Sequence, residues 1–150
     1  MDERILSHYN SHEGVSDYSG KFERQWNERV TNWNERRLFQ RLLRSASVGK
    51  VPGLALDLPC GYGRLYPIVR EIAGQIVEGD WSFHMLSTAR MSQGNGKKPG
   101  PVISYVRCTA LRLPFGNGAF DFVLSVRLSH HIRDHQERIQ YAREIMRVSG

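Results

Sequence analysis

The fold is decided by one stretch of the chain, Leu54-Ala55-Leu56-Asp57-Leu58-Pro59-Cys60-Gly61-Tyr62-Gly63-Arg64. Its first half is a short apolar run typical of a buried strand, and a glycine-rich turn and a predicted helix follow at once. In such an arrangement the backbone N–H groups at a helix N-terminus meet the polar groups of a ligand. Taken alone, the stretch fits a tight strand-to-helix turn without a ligand equally well.

A second acidic residue favours the ligand interpretation. Asp80 ends the next predicted strand and follows Asp57 at about the 20-residue spacing expected for a carboxylate that binds a pair of ribose hydroxyls. Two carboxylates and a glycine turn therefore predict a nucleoside site.

Strands and helices alternate on both sides of this site. Apolar runs predict strands at residues 54–58, 76–80, 102–107 and 120–126, and helices are predicted over 64–73, over 82–91 with Ser82 as its cap, and from Asp134 onward. The last helix is expected to turn Ile139, Ala142, Ile145 and Met146 inward. This alternation predicts an α/β, Rossmann-like fold with a mostly parallel sheet and helices on both faces.

The N-terminal part has a different character. Residues 1–20 lack periodicity, whereas residues 21–46 carry an apolar stripe opposite an arginine-rich face, which predicts one long amphipathic helix or two in tandem. We expect two units: a lead-in with a cap helix at 1–46, and a ligand-binding domain at 47–150. The helix is expected to pack on the domain, and the alternative is a surface that faces RNA or an anionic membrane.

Composition narrows the class of protein. With 40% hydrophobic and 24% charged residues the chain is an ordinary globular mixture, and it has no apolar run long enough to span a membrane, so a cytoplasmic location is expected. The net charge of +6 permits partners that carry phosphate, including nucleic acid, without favouring them. Neither Cys60 nor Cys108 has a neighbour at metal-ligand spacing, so no metal site is predicted and both are expected to be reduced.

Four motifs follow one another in the order and spacing of one family. They are Leu56-Asp57-Leu58-Pro59-Cys60-Gly61-Tyr62-Gly63-Arg64, Gly79-Asp80-Trp81-Ser82-Phe83-His84-Met85-Leu86, Leu113-Pro114-Phe115-Gly116-Asn117-Gly118-Ala119-Phe120-Asp121, and His130-His131 with Asp134. Over residues 54–148 the chain thus resembles the class I S-adenosylmethionine-dependent methyltransferases, especially their small-molecule and quinone-type branch. A dehydrogenase would favour a third glycine where this chain has Tyr66.

The resemblance implies that S-adenosylmethionine is the cofactor and that it binds at the glycine turn. The turn at Pro59, Gly61, Tyr62 and Gly63 would hold the methionine moiety, and Asp57 would order the turn or reach the amino group. Pro59 stands where the family usually has its first glycine, and proline removes one N–H donor. We therefore expect a site of the family type with reduced affinity.

The nucleoside end follows from the same resemblance. Asp80 would take the ribose hydroxyls, with Trp81 against the adenine. Thr109 and Ala110 occupy the positions at which the family contacts the adenine amino group and a ring nitrogen. Threonine replaces the usual acid there, which is a second reason to expect weaker binding.

Past the fourth strand lie the candidates for the reacting end. Ser125 and Arg127 would lie beside the methionine moiety, and His130 or His131 is the candidate base, because imidazole titrates near neutrality. The alternative for the histidines is that one packs structurally and the other is exposed.

The predicted function is methyl transfer to a small-molecule, quinone or lipid-like acceptor. The alternatives are a non-catalytic cofactor-binding or scaffold fragment and a nucleic-acid-binding module built on the basic helix. The family's later strands are missing from the chain, so we expect a protein partner or a missing C-terminal segment to cover the edge of the sheet.

Overall fold

The computed structural model describes residues 26–46, 53–94 and 102–150. Helix α1 begins the described chain, and the helices and strands that follow alternate as predicted. In order they are α1 (Trp26–Ala46), β1 (Leu54–Asp57), α2 (Tyr66–Val69), β2 (Gln75–Asp80), α3 (Phe83–Gly94), β3 (Val102–Arg107), β4 (Phe122–Leu124), a short 3₁₀ helix (Ser129–His131) and α4 (His135–Val148).

The four strands form one parallel sheet in the order β3-β2-β1-β4. Strand β1 lies between β2 and β4, with Asp57 in register with Glu78 on one side and Leu124 on the other. The predicted Rossmann-like α/β fold is therefore confirmed, and β4 is an edge strand. Just before β4, Phe120 forms a parallel bridge with Ser149.

Alternate residues of the strands feed two cores on opposite faces of the sheet. Ala55 and Ile76 face a cluster that includes the apolar residues of α2, and Phe39 of α1 packs against it. Leu56 and Val77 face a second cluster that includes Val148 of α4. Helices thus cover both faces, as the alternation of elements predicted.

Two predicted helices have different bounds in the structure. The helix expected over 64–73 is regular only from Tyr66 to Val69, because the following residues form bonds of mixed span, such as Glu71 N–H to Ile68 O and Ala73 N–H to Val69 O. Ser82 caps α3 as expected, its Oγ accepting from the Met85 N–H at 3.2 Å, and α3 continues to Gly94 rather than ending at 91. The predicted lead-in at 1–20 and residues 21–25 of the predicted N-terminal helix lie outside the described residues.

The predicted strand over 120–126 is shorter in the structure. It is regular only over Phe122–Leu124, because Phe120 bonds with the backbone at the end of α4 instead of with β1. The inward face predicted for α4 is wrong in part: Ala142 and Met146 are exposed, whereas Glu144 and Val148 are buried.

No helix in the described ranges combines the length and apolarity that a bilayer crossing requires. The cytoplasmic location and the division at residues 46 and 47 stay predictions. Cys60 and Cys108 are buried free thiols.

Candidate functional site

A cavity of about 130 Å³ opens at the carboxyl end of the sheet. Its walls come from the segments that follow β1, β2, β3 and β4, because parallel strands bring these ends to one edge. The strand order reverses around β1, so the cavity lies where crevices form in such sheets. The lining residues are Leu58, Pro59, Cys60, Gly61, Tyr62, Arg64, Leu65, Asp80, Trp81, Ser82, Met85, Cys108, Ala110, Val126, Arg127, Leu128 and His131.

Most of the residues predicted for the site line this cavity. The eight that do are Pro59, Gly61, Tyr62, Asp80, Trp81, Ala110, Arg127 and His131. The other predicted site residues, Asp57, Gly63, Thr109, Ser125 and His130, are absent from its wall. The structure therefore brings together both ends of the predicted cofactor site and one of the two histidines.

The glycine turn holds one glycine toward the cavity and one toward α3. Gly61 and Gly63 have φ of 57° and 83°, in the left-handed region that favours glycine, and the Leu58–Pro59 peptide bond is cis. A Cβ on Gly61 would meet no atom within 4 Å, whereas a Cβ on Gly63 would come within 2.3 Å of Gln93 Nε2. The absence of a side chain at Gly63 thus serves its packing against α3, and its role toward the cofactor stays a prediction.

Asp80 joins the turn to the end of β2. Its Oδ2 accepts from the Gly61 N–H at 2.9 Å, and its Oδ1 accepts from the Ser82 N–H at 2.8 Å. Burial raises the pKa of Asp80, while these backbone hydrogen bonds oppose that shift. Each carboxylate oxygen can accept more than one hydrogen bond, so the acid can hold the turn and still face a ligand hydroxyl.

Trp81 and Ala110 form a wall beyond Asp80. The Arg107 guanidinium lies 5.4 Å from the centre of the Trp81 ring, and its Nε donates to the Trp81 carbonyl at 2.9 Å. Ala110 is buried against the cavity. Thr109 lies outside it, and its Oγ1 accepts from the Leu111 N–H at 3.3 Å, so this hydroxyl supports a local turn.

Two predicted site residues lie beneath the turn instead of in the cavity. Asp57 is 1% exposed, and its carboxylate has no hydrogen-bond partner among the described residues. Burial and nearby Glu78 raise the pKa of Asp57, and Arg64 lowers it. The Ser125 hydroxyl bonds with the Leu58 carbonyl and the Tyr141 hydroxyl, which ties β4 and α4 to the base of the turn.

Only one histidine of the pair reaches the cavity. His131 lines it, whereas His130 stacks beside His131 with ring centroids 4.0 Å apart. Burial, and secondarily the charge of His130, lower the pKa of His131. A neutral imidazole is the form that accepts a proton.

A buried polar chain behind the turn was not predicted from the sequence. Glu78 is fully buried, and its Oε1 accepts from Gln93 Nε2 at 3.3 Å, while Gln93 Oε1 accepts from the Tyr105 hydroxyl at 2.7 Å. Burial raises the pKa of Glu78 to about 7. It also raises the pKa of the Cys60 thiol. The available signal was an acid that follows the apolar pair Ile76 and Val77 inside β2.

The contact between α1 and the cavity rim was not predicted either. Glu35 Oε2 accepts from Arg64 Nη1 at 2.7 Å, and Glu35 Oε1 accepts from Arg127 Nε and Nη2 at 3.2 and 3.1 Å. Only long-range folding brings these charges together, because 92 positions separate Glu35 from Arg127.

Residues 56–150 match the family model described as a methyltransferase domain. The chain belongs to the methyltransferase domain family. The resemblance stated from the four motifs is thereby confirmed.

Individual relatives support this membership. The malonyl-[acyl-carrier protein] O-methyltransferase of Legionella pneumophila is 35% identical over 121 residues, which cover 76% of this chain and 38% of that protein. The chain spans 39% of the length of a putative methyltransferase of Encephalitozoon cuniculi and 38% of the length of the Legionella protein.

Solved structures share its fold. The magnesium protoporphyrin IX methyltransferase of Synechocystis, determined with bound S-adenosylhomocysteine, has a TM-score of 0.76 at 15% identity, covering 96% of this chain and 66% of that one. The N-methyltransferase NodS of Bradyrhizobium japonicum, in complex with S-adenosylhomocysteine, has a TM-score of 0.70 at 11% identity, covering 99% and 67%.

Proposed function

We propose that this methyltransferase domain binds S-adenosylmethionine in the cavity at the ends of β1, β2 and β4. We further propose that the whole protein transfers the methyl group of that cofactor to a small-molecule acceptor. The observation that carries the proposal is the hydrogen bond from the Gly61 N–H to Asp80, because it fixes the turn and the ribose-binding carboxylate on one cavity wall.

The chemistry of the lining residues fits the cofactor. Asp80 supplies carboxylate oxygens for the ribose, and Trp81 and Ala110 supply apolar surface for the adenine. The turn at Gly61 and Tyr62 supplies backbone groups for the methionine moiety. Pro59 in the same turn has no backbone N–H to donate. Neighbouring folds that were determined with S-adenosylmethionine or S-adenosylhomocysteine add support.

When bound, S-adenosylmethionine supplies a methyl group on a positively charged sulfur, ready for in-line displacement. The chain contributes orientation and exclusion of water, since Leu58, Leu65, Met85, Val126 and Leu128 contribute apolar surface to the cavity. Where an acceptor must lose a proton, His131 is the proposed base, because its lowered pKa favours the neutral imidazole, which can accept that proton at neutral pH.

The apolar walls support an acceptor with an apolar body, such as a quinone or a lipid-like molecule. The names of similar proteins cover several acceptors: malonyl-carrier protein for the Legionella relative, magnesium protoporphyrin IX for the Synechocystis enzyme and a sugar for a third. We also propose that a protein partner or a further segment covers β4. A related fold has been determined in complex with a methyltransferase activator.

Isothermal titration with S-adenosylmethionine and S-adenosylhomocysteine tests the proposal. The wild-type chain should bind both, and Asp80→Ala should weaken both by at least about tenfold, because a charge-assisted contact with the ribose is lost. Asp134→Ala, which removes an acid at the start of α4, is the matched control and should leave affinity unchanged. Absence of binding by the folded wild-type chain would refute cofactor binding, and an unchanged affinity for Asp80→Ala would refute the ribose assignment.

A further inference from the structure

Two arginines at the cavity rim converge on one carboxylate. Arg127 Nε and Nη2 both donate to Glu35 Oε1, and Nη2 also donates to Oε2 at 3.2 Å. Arg64 Nη1 donates to the same Oε2 at 2.7 Å. Parallel N–H donors of one guanidinium match the two oxygens of a carboxylate, so the arrangement recognises that group by shape as well as by charge. We call Arg64 and Arg127 the two-arginine site.

This site belongs to the cavity as well as to the rim. Both arginines line the cavity, and the Arg64 side chain is only 9% exposed. Arg127 has a φ of 64°, a strained backbone conformation for a non-glycine residue that clusters at ligand sites. Water-restricted guanidinium groups bind an anion more strongly than exposed ones do.

Glu35 reaches the two-arginine site from outside the sheet. It lies on α1, where Trp33, Leu38 and Leu42 are exposed, and Phe39 packs against the core beside α2. The carboxylate that fills the site is therefore carried by a peripheral helix. It is absent from the residues that line the cavity.

We propose that the two-arginine site binds a carboxylate of the methyl acceptor and that Glu35 occupies it as an exchangeable internal substitute. The inference rests on the proposed function of the cavity and narrows the acceptor to an acid. Arg127 lies in the same segment as His131, the proposed base, so the site is at the reacting end of the cavity. The Legionella relative is named for an acceptor whose malonyl group is itself an acid.

Malonate is the probe, titrated into the chain by calorimetry with and without saturating S-adenosylhomocysteine. Glu35→Gln removes the competing charge and should tighten malonate binding about tenfold, and Arg127→Gln or Arg64→Gln should weaken it about tenfold. Glu71→Gln and Arg138→Gln change the same charges at exposed positions and should leave it unchanged. Circular dichroism verifies that each variant is folded.

Separate results distinguish the two proposals. If the chain fails to bind S-adenosylhomocysteine but malonate binding follows the arginines, the cofactor proposal fails and the two-arginine site stands. Methylthioadenosine lacks the amino-acid carboxylate of S-adenosylhomocysteine. If the arginine variants weaken the binding of S-adenosylhomocysteine but not the binding of methylthioadenosine or malonate, the site serves the cofactor. The acceptor proposal is then overturned. It is equally overturned if malonate does not bind to Glu35→Gln.

Discussion

Gly63 meets two independent constraints, a left-handed backbone and a close neighbour. Its φ is 83°, and a Cβ at this position would lie 2.3 Å from Gln93 Nε2, so Gly63→Ala should lower the free energy of unfolding by about 1–3 kcal/mol. Gly116→Ala is the control, because no atom lies within 4 Å of its Cβ position and its φ is not in the left-handed region. Urea unfolding followed by circular dichroism measures both, and equal effects would contradict this account of Gly63.

Glu78 should make stability depend on pH. Its pKa rises from 4.5 to about 7 on folding, so the folded state favours the protonated acid, and stability falls as pH rises through that interval. Glu78→Gln cannot ionise, so it should match the wild type near about pH 4, below the pKa of the unfolded carboxyl, and exceed it by at most about 3 kcal/mol near about pH 8. Urea unfolding at the two pH values measures the difference.

The difference from the Gln variant reports Glu78 together with its effect on two neighbours. Asp57, Asp80 and Cys60 also have raised pKa values in the wild type, and the charge of Glu78 contributes to the shifts of Asp57 and Cys60. Glu71→Gln, at an exposed position, should follow the wild-type profile. A Glu78→Gln profile parallel to the wild type would show that the carboxyl does not titrate in this interval.

At the scale of single residues, spacing along the chain predicted the position of residues whose contacts stay within neighbouring motifs. Asp80 was found because it ends a strand, and Gly61 because it lies in the turn after one, and their contact stays close to those strands. Thr109 and Ser125 were also placed by motif, yet their hydroxyls turn to nearby backbone and side-chain groups. Side-chain direction depends on partners brought by other elements, so a motif position alone does not give it.

At the scale of elements, α4 clasps the segment that leads into β4. Arg147 donates to the carbonyls of Leu113 and Phe115 at 3.1 and 2.8 Å, and Glu144 accepts from the Leu113 N–H at 2.6 Å. This polar clasp explains why the buried face of α4 includes Glu144, where periodicity predicted Ala142 and Met146. An apolar pattern cannot reveal a carboxylate that is buried through such hydrogen bonds.

Replacing the clasp arginine tests its geometry. Arg147→Lys keeps the charge but loses the forked donors, so we expect the midpoint of thermal unfolding to fall. Arg143→Lys changes an exposed arginine of the same helix and should have little effect. Thermal unfolding compares the two, and equal midpoints would argue against the clasp.

At the scale of the molecule, among the residues that the structure describes, the sheet and both core clusters are built from β1 onward, apart from the contribution of Phe39. A chain of residues 47–150 should therefore still unfold cooperatively, with a loss of about 1–3 kcal/mol for the missing apolar contact. Urea unfolding monitored by circular dichroism measures this. A chain without a cooperative transition would show that α1 is part of the domain, contrary to the predicted boundary.

The alternation of strands and helices predicted the sheet because it is a local property of the sequence. The docking of α1 was predicted only in general terms, since a charged helix face offers many pairings. The pairing of Glu35 depends on where Arg64 and Arg127 meet after the sheet has formed.

The attachment of Glu35 to the same chain as the two-arginine site has a consequence for selectivity. A tethered carboxylate competes at an effective concentration, on the order of millimolar for short connections, whatever the concentration of protein. A free acid must exceed that threshold to displace it. An acceptor whose apolar body is already bound in the cavity also presents its carboxylate at a high effective concentration. It can therefore compete with Glu35 for the two-arginine site. The helix would thus filter small metabolic acids from larger acceptors without any additional contact.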